Sequence, residues 1–363
     1  MDMGRTRLNR RLSCGEMSIR HPNFGLFSSA AMVLAVLPFV ASFMLAPELS
    51  SADKRPNRPQ EGFVITSDGV HLFYQVVGNG PETVVIPGRL FLIHTLRQLS
   101  PSRRLIFYDT RSRGKSDAVH DAKRESIQDD VHDLETVRQY FGAEKISPIG
   151  YSYMGLLVML YTAAHAENVA RVIQLDPVPI QWDTKYPAGL SENYEASLDP
   201  AAAKKLDDLQ KQGFDRSHPK EYCEMDWDVQ RFALVGDPSH VDRIGVPKTG
   251  LCDSENEWPV NLNPHFEASF TSIQAVSLAN ADLAKISMPV LTVHGTKDRN
   301  APYGGGREWA MRLPNARLLT VRNGAHQSFD EYPEIVIPAI DQFLNGSWPA
   351  AAEKVTTLVP NSN

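Results

Sequence analysis

The sequence has little of what would tie it to a metal, a nucleotide or a nucleic acid. Only three cysteines occur in 363 residues, none in the paired spacing of a zinc site, and there is no His-Glu-x-x-His. Gly304-Gly305-Gly306 lacks the spacing and the context of a dinucleotide loop. No cofactor and no metal are therefore expected. Basic residues do not cluster on the body of the chain, and 37 of them against 43 acidic ones leave a formal charge of −6, so nothing favours nucleic acid. Repeats and low-complexity tracts are missing too. What remains is ordinary: 42% hydrophobic and 22% charged residues supply a sizeable core. The length suits one large α/β domain with an inserted lid, or two ordinary domains.

Long apolar runs are also missing, with one exception. Phe24 to Ala46 carries no charge, and Arg5, Arg7, Arg10, Arg11 and Arg20 precede it. A positive flank before an apolar run is the pattern of an export signal, and at roughly 20 residues the run is also long enough to span a bilayer. Ser50-Ser51-Ala52 offers small residues for cleavage. Residues 1–52 therefore read as a signal peptide or as a single-helix membrane anchor, and 53–61 as a polar linker. The protein is expected to be exported (secreted or periplasmic) or held at the membrane. A buried core helix is the competing reading, and it leaves the five arginines unexplained. Beyond this segment two cysteines remain, Cys223 and Cys252, an even pair for an oxidising compartment. A disulfide and two unpaired thiols are both open.

From Phe63 onward the pattern is strand, turn and helix. Phe63–Thr66 and Val70–Val77 flank Ser67-Asp68-Gly69 as a β-hairpin. Strands are predicted at Thr83–Ile86, Arg104–Tyr108, Lys145–Ile149 and Val172–Leu175, and helices at Phe91–Leu99, Ile127–Phe141 and Tyr153–Ala164. The alternation breaks near Val178 and resumes at Pro289–Val293, with a strand at Arg317–Val321 and a helix near Ile335–Leu344. Such alternation implies an α/β class with a mostly parallel sheet flanked by helices. The core is then 62–177 with 287–346, residues 178–286 are an inserted helical lid, and 347–363 are a loose tail.

Chemistry concentrates at three strand ends. Gly150-Tyr151-Ser152-Tyr153-Met154-Gly155 places a serine between a strand and a helix, where a sharp turn exposes its hydroxyl. A helix-capping serine is the plainer alternative. Small residues are expected two before and two after such a serine; Gly150 is one, and Met154 departs. A serine hydroxyl needs a histidine base, and the histidine needs a carboxylate to orient it. Asp298, just past the strand of Thr292-Val293-His294-Gly295, and His326 of Asn323-Gly324-Ala325-His326 follow in that order. Either alone could be a turn or capping residue. Together they fall on successive strand ends, at the sheet edge where ligand sites of such folds lie. His294 reads as a strand-end residue.

On these residues the chain resembles the α/β-hydrolase superfamily over about Gly62–Leu344, in the lidded branch that holds proline iminopeptidases and many esterases. The resemblance implies a Ser152, His326, Asp298 triad. It also implies an oxyanion hole formed by the backbone N–H groups of Arg89, in Ile86-Pro87-Gly88-Arg89-Leu90, and of Tyr153. Pro87 stands where the family usually has histidine. The Arg89 side chain is free to enter the pocket or pair with an acid. Tyr108 to Asp117 matches a family turn in which Arg113 and Lys115 interrupt the glycines; its expected role is structural, with Asp109 paired to Arg111. A serine nucleophile implies acyl transfer to water.

The lid is expected to choose the substrate. Trp182, Tyr186, Tyr194, Trp227, Phe232, Trp258, Phe266 and Phe270 make it aromatic, and Glu221, Glu224 and Asp226 lie near Trp227. Packing of the lid's own core is the plainer role for the aromatics, and a solvated surface for the acids. Trp182, Glu221, Glu224 and Trp227 are the substrate-binding candidates. Three functions follow: hydrolysis of a small-molecule ester; aminopeptidase action on a short peptide, with lid carboxylates holding the amine; or a ligand-binding or signalling role with slow hydrolysis or none, which Met154, Pro87 and Arg113 keep open.

Overall fold

The computed structural model describes residues 60–181 and 194–357. The chain divides into two units, Met1–Ala52 and Asp53–Asn363, and every described residue belongs to the second. The N-terminal arginines and apolar run, Ser50-Ser51-Ala52, Trp182 and Tyr186 lie outside the described residues. No described helix is long and apolar enough to cross a membrane.

The described strands are β1 (Glu61–Ile65), β2 (His71–Val77), β3 (Glu82–Pro87), β4 (Arg103–Tyr108), β5 (Ser147–Tyr151), β6 (Val172–Leu175), β7 (Val290–Gly295), β8 (Ala316–Val321) and β9 (Ala352–Glu353). They form one sheet in the order β1-β2-β4-β3-β5-β6-β7-β8-β9. Pairing is antiparallel between β1 and β2, β2 and β4, and β8 and β9, and parallel everywhere else. Interior strands such as β4 and β7 are buried along their whole length, as parallel strands covered on both faces must be. Helices α1 (Arg89–Leu96), α2 (Ile127–Tyr140) and α3 (Tyr153–Ala164) follow β3, β4 and, through the serine turn, β5. Ser126 caps α2 in a reciprocal box with Asp129, and Ile127, Val131, Leu134 and Val137 bury its inner face.

Between β6 and β7 the chain forms α4 (Pro200–Lys211), α5 (Phe214–Ser217), α6 (Pro219–Gln230), a series of short 3-10 turns, α7 (Pro259–Gln274) and α8 (Asn280–Leu283). This segment has an apolar cluster of its own, with Leu234, Val235, Ile244, Val246 and Leu251 around Cys223 and Cys252, and it packs on Leu90 and Phe91 of α1. Cys223 and Cys252 are joined as a disulfide. After β7 come α9 (Tyr303–Arg312), then β8, α10 (Ser328–Glu331) and α11 (Pro333–Leu344).

The C-terminal segment differs from the loose tail expected. Leu318 pairs with Glu353 and Leu319 with Ala352, which adds β9 to the sheet. Ala352 and Val355 are buried, and Val355 packs with Ala310 and Leu318. The physical reason is the exposed edge of β8, whose unpaired backbone groups accept another strand.

The strand order reverses between β3 and β5. Loops leaving the carboxyl ends of those two strands diverge there and open a crevice at the top of the sheet. The loop after β3 begins at Gly88 and the turn after β5 holds Ser152.

Candidate active site

Ser152 has φ 54° and ψ −123°, a backbone state rarely taken by a residue with a side chain. Such a state costs on the order of 1–3 kcal/mol, and the surrounding packing must hold it. A Cβ on Gly150 would overlap the carbonyl of Met154, and one on Gly155 would come 2.8 Å from Cβ of Pro177. The small residues are thus needed two before and three after the serine. Met154 fits because its side chain runs away from the turn, is 3% exposed, and fills the space above Gly88, where a Cβ would overlap its thioether.

Three strand ends converge on Ser152. Its Oγ lies 3.0 Å from Nε2 of His326. Nδ1 of His326 lies 2.8 Å from Oδ2 of Asp298. The other carboxylate oxygen, Oδ1, accepts from the backbone N–H groups of Asn300 at 2.8 Å and Ala301 at 2.9 Å. Asp298 can only accept as an anion, so Nδ1 of His326 carries the hydrogen and Nε2 is left to accept from the serine hydroxyl. Burial alone would raise the pKa of Asp298. The charges and hydrogen bonds of His326 and His294 outweigh it and hold the carboxyl well below the usual range. The Tyr151 ring packs 4.9 Å from the His326 ring and walls it from solvent.

A second buried carboxylate lies beside this group. Asp176, at the end of β6, accepts from Gly295 N at 2.8 Å, Ser328 N at 3.1 Å and Ser328 Oγ at 2.9 Å. Burial pushes its pKa up. Single ligand atoms of Asp176, His294 and Asp298 all lie within 4.8 Å of one another. Every carboxylate oxygen among them already accepts a protein hydrogen, so the three form a hydrogen-bonded cluster rather than a ligand set.

Arg89 and Tyr153 are the first residues of α1 and α3. Backbone N–H groups at that position have no acceptor within their own helix; Tyr153 directly follows Ser152, and Arg89 directly follows Gly88 at the end of β3. The Arg89 side chain does not enter the crevice. It is buried, with Nη2 2.9 Å from Oδ2 of Asp109, and lies over the Phe73 ring. This corrects the expected pairing of Asp109 with Arg111. Arg111 turns to the opposite side and binds Asp133 through two contacts of 2.9 and 2.7 Å. The turn reverses direction at Ser112 and Gly114, both with positive φ, so neighbouring side chains face different helices.

Trp227 is half-buried on α6, its ring 5.8 Å from Phe91. Glu221 and Glu224 are exposed on the same helix, with Glu224 4.0 Å from Lys220. Among the described residues no hydrogen bond or ion pair joins either to the Ser152 group. Glu257 carries no motif that marks it in the sequence. It is wholly buried and receives Arg113 Nε at 3.0 Å, Arg113 Nη2 at 2.8 Å and Gly114 N at 2.7 Å. Glu257 lines a small void with Phe91, Tyr153 and Met154, and also a cavity of about 360 Å³ with Asp226 and Trp227. Arg113, which interrupts a run expected to hold glycines, was the signal that a partner was needed.

The family model described as alpha/beta hydrolase fold matches residues 88–333. A bifunctional esterase/perhydrolase of Acinetobacter calcoaceticus is 25% identical over 276 residues, covering 73% of this chain and 92% of its own. A proline iminopeptidase of Pestalotiopsis fici is 22% identical, covering 76% of this chain and 97% of its own. Among solved structures, an esterase from a Rhodococcus species superimposes with a TM-score of 0.60 at 20% identity, over 79% of this chain and 99% of its own.

Proposed function

We propose a function from one premise: this chain belongs to the alpha/beta hydrolase fold family, and it is a hydrolase. In our reading it cleaves the carboxylic ester of a small substrate through an acyl-enzyme. Ser152 Oγ attacks the carbonyl carbon while Nε2 of His326 takes its proton. Asp298 holds the imidazole in the required tautomer and stabilises the imidazolium that forms. Negative charge on the carbonyl oxygen is received by the N–H groups of Arg89 and Tyr153. His326 then protonates the leaving alcohol, and water, deprotonated by the same nitrogen, releases the acid. The observation that carries this reading is the unbroken contact chain from Ser152 Oγ through His326 to Asp298, at 3.0 and 2.8 Å.

Residues 178–286 act as the lid that selects the substrate. An aminopeptidase activity is the second reading, supported by the likeness to a proline iminopeptidase. An amine needs a free carboxylate near the serine. Glu257, a buried carboxylate of this segment that lines a void with Tyr153 and Met154, is already neutralised by Arg113, which favours the ester. Of the residues that suggested a protein that binds without hydrolysis, Met154 packs over Gly88, Arg113 pairs with Glu257, and Pro87 ends β3 in register with Tyr108. We also place the protein outside the cytoplasm, by cleavage after Ala52 or by retention of its N-terminal segment as an anchor. Sequencing the N-terminus of the exported protein tests this: Asp53 means cleavage, an intact N-terminus in the membrane fraction means an anchor, and an intact soluble cytoplasmic chain contradicts both.

Hydrolysis of short-chain p-nitrophenyl esters and of proline p-nitroanilide tests the substrate class. The ester reading expects turnover of the esters, lost by at least about 1000-fold in Ser152→Ala, with little cleavage of the anilide. Preferential cleavage of the anilide would move the assignment to the aminopeptidase.

A further inference from the structure

His294 lies outside the Ser152–His326–Asp298 chain, yet it touches it. Its Nε2 is 3.2 Å from Oδ2 of Asp298 and 3.1 Å from the carbonyl oxygen of Ala301. A carbonyl oxygen only accepts, so Nε2 carries the hydrogen and shares it between Ala301 and Asp298. The oxygen it reaches is the same Oδ2 that receives His326. We propose that His294 is a positioning residue for the Ser152 reaction: by drawing on the Asp298 oxygen that holds His326, it sets the pH at which Ser152 becomes reactive. The inference rests on the hydrolase reading above.

The site is built around that ring. His294 is wholly buried at the end of β7. Among the described residues its Nδ1 has no hydrogen-bond partner, and it faces Gly306 of α9, where a Cβ would overlap the ring. Glycine in a helix interior costs on the order of 0.5–1 kcal/mol relative to alanine, and here it makes the room that the ring occupies. Burial opposes a charge on His294, and the bond to Asp298 with the charges of Asp298 and Asp176 outweighs it, so its proton affinity is raised. The hydrogen on Nε2 is fixed by the Ala301 carbonyl, and both the neutral and the protonated ring carry it. Among the described residues, the other titratable groups around the cluster are Asp176 just past β6, Tyr151 on β5, Tyr303 on α9, and Asp330 and Glu331 on α10. Lys297 and Arg299 flank Asp298 in sequence but bind the carbonyl oxygens of Gly236 and Val235.

The sign follows from the shared oxygen. An acceptor that loses one donor becomes a better acceptor for the other. Without His294, Asp298 holds the protonated form of His326 more strongly. Ser152 is then activated only at higher pH.

The test is the rate of Ser152 labelling by a fluorophosphonate as a function of pH. In His294→Phe the midpoint of the profile is expected to rise by about 0.5–1 pH unit. His294→Gln, whose amide nitrogen reaches the place of Nε2, is expected to return the midpoint to within about 0.2 unit of the parent. Gly306→Ala, which displaces the ring without touching its chemistry, is expected to shift it upward as His294→Phe does, and it carries the test if the phenylalanine variant does not fold. An unchanged midpoint in the folded phenylalanine or alanine variant overturns the inference, as does a glutamine variant that moves as far as phenylalanine. A parent protein that is not labelled at Ser152 at any pH overturns the hydrolase reading and this inference together; labelling with an unmoved midpoint overturns the inference alone.

Discussion

Gly88 and Met154 depend on each other. Gly88 has φ 77°, and the Met154 thioether occupies the place its Cβ would take. Gly88→Ala therefore combines a left-handed backbone cost of about 1–2 kcal/mol with overpacking of about 1–3 kcal/mol. Adding Met154→Ala removes the overlap, so urea unfolding of the double variant is expected to show less destabilisation than the sum of the two single changes. Simple additivity would contradict the packing described. Ser152, Asp298 and His326 were legible in the sequence because each follows a short apolar strand, and their order along the chain carried the inference. The accommodation of Met154 was not legible. It depends on Gly88, 66 positions earlier, which only the pairing of β3 with β5 brings near. Arg89 and Arg113 were equally opaque: their partners, Asp109 and Glu257, come from a neighbouring strand end and from the segment between β6 and β7.

Strands and helices outside the β6–β7 segment were readable to within a few residues, since buried parallel strands are continuous apolar runs and the helices between them are amphipathic. The expected helix from Phe91 begins two residues earlier, because Gly88 turns the chain directly into it. The β9 strand escaped notice since two residues carry no periodicity, and its stability comes from the edge of β8. Within the β6–β7 segment the Cys223–Cys252 disulfide ties α6 to a turn 29 residues on. Closing a loop of that length stabilises by about 3–4 kcal/mol in the chain-entropy account. Reduction, or replacement of both cysteines by serine, is expected to lower the unfolding midpoint and to expose residues 194–286 to protease before the sheet. Identical proteolysis of the oxidised and reduced forms would contradict a stabilising role.

For the molecule as a whole, two sets of buried carboxyls pull stability in opposite directions with pH. Burial pushes Asp330 up to about 6, against the lowering effect of its bonds to Thr95 and Gly245. Its folded pKa is above the unfolded one, so its contribution is complete below about pH 4 and is lost as pH rises through about 6. Asp298 is depressed, so its contribution is complete above the ordinary carboxylate range and is lost in acid. Asp330→Asn is expected to flatten the fall in urea midpoint between about pH 5 and 7; a fall as steep as the parent's would assign that dependence to other groups. These networks hold the loop after β8 in place: Asp330 binds Gly245 N and Glu331 binds Ala325 N, next to His326. The measurement that tests the central reading most directly is intact-protein and peptide mass spectrometry after fluorophosphonate treatment. The reading predicts one adduct per chain, on Ser152, abolished in Ser152→Ala and strongly slowed in His326→Ala. A folded protein that takes no adduct, or takes it on another residue, would contradict it.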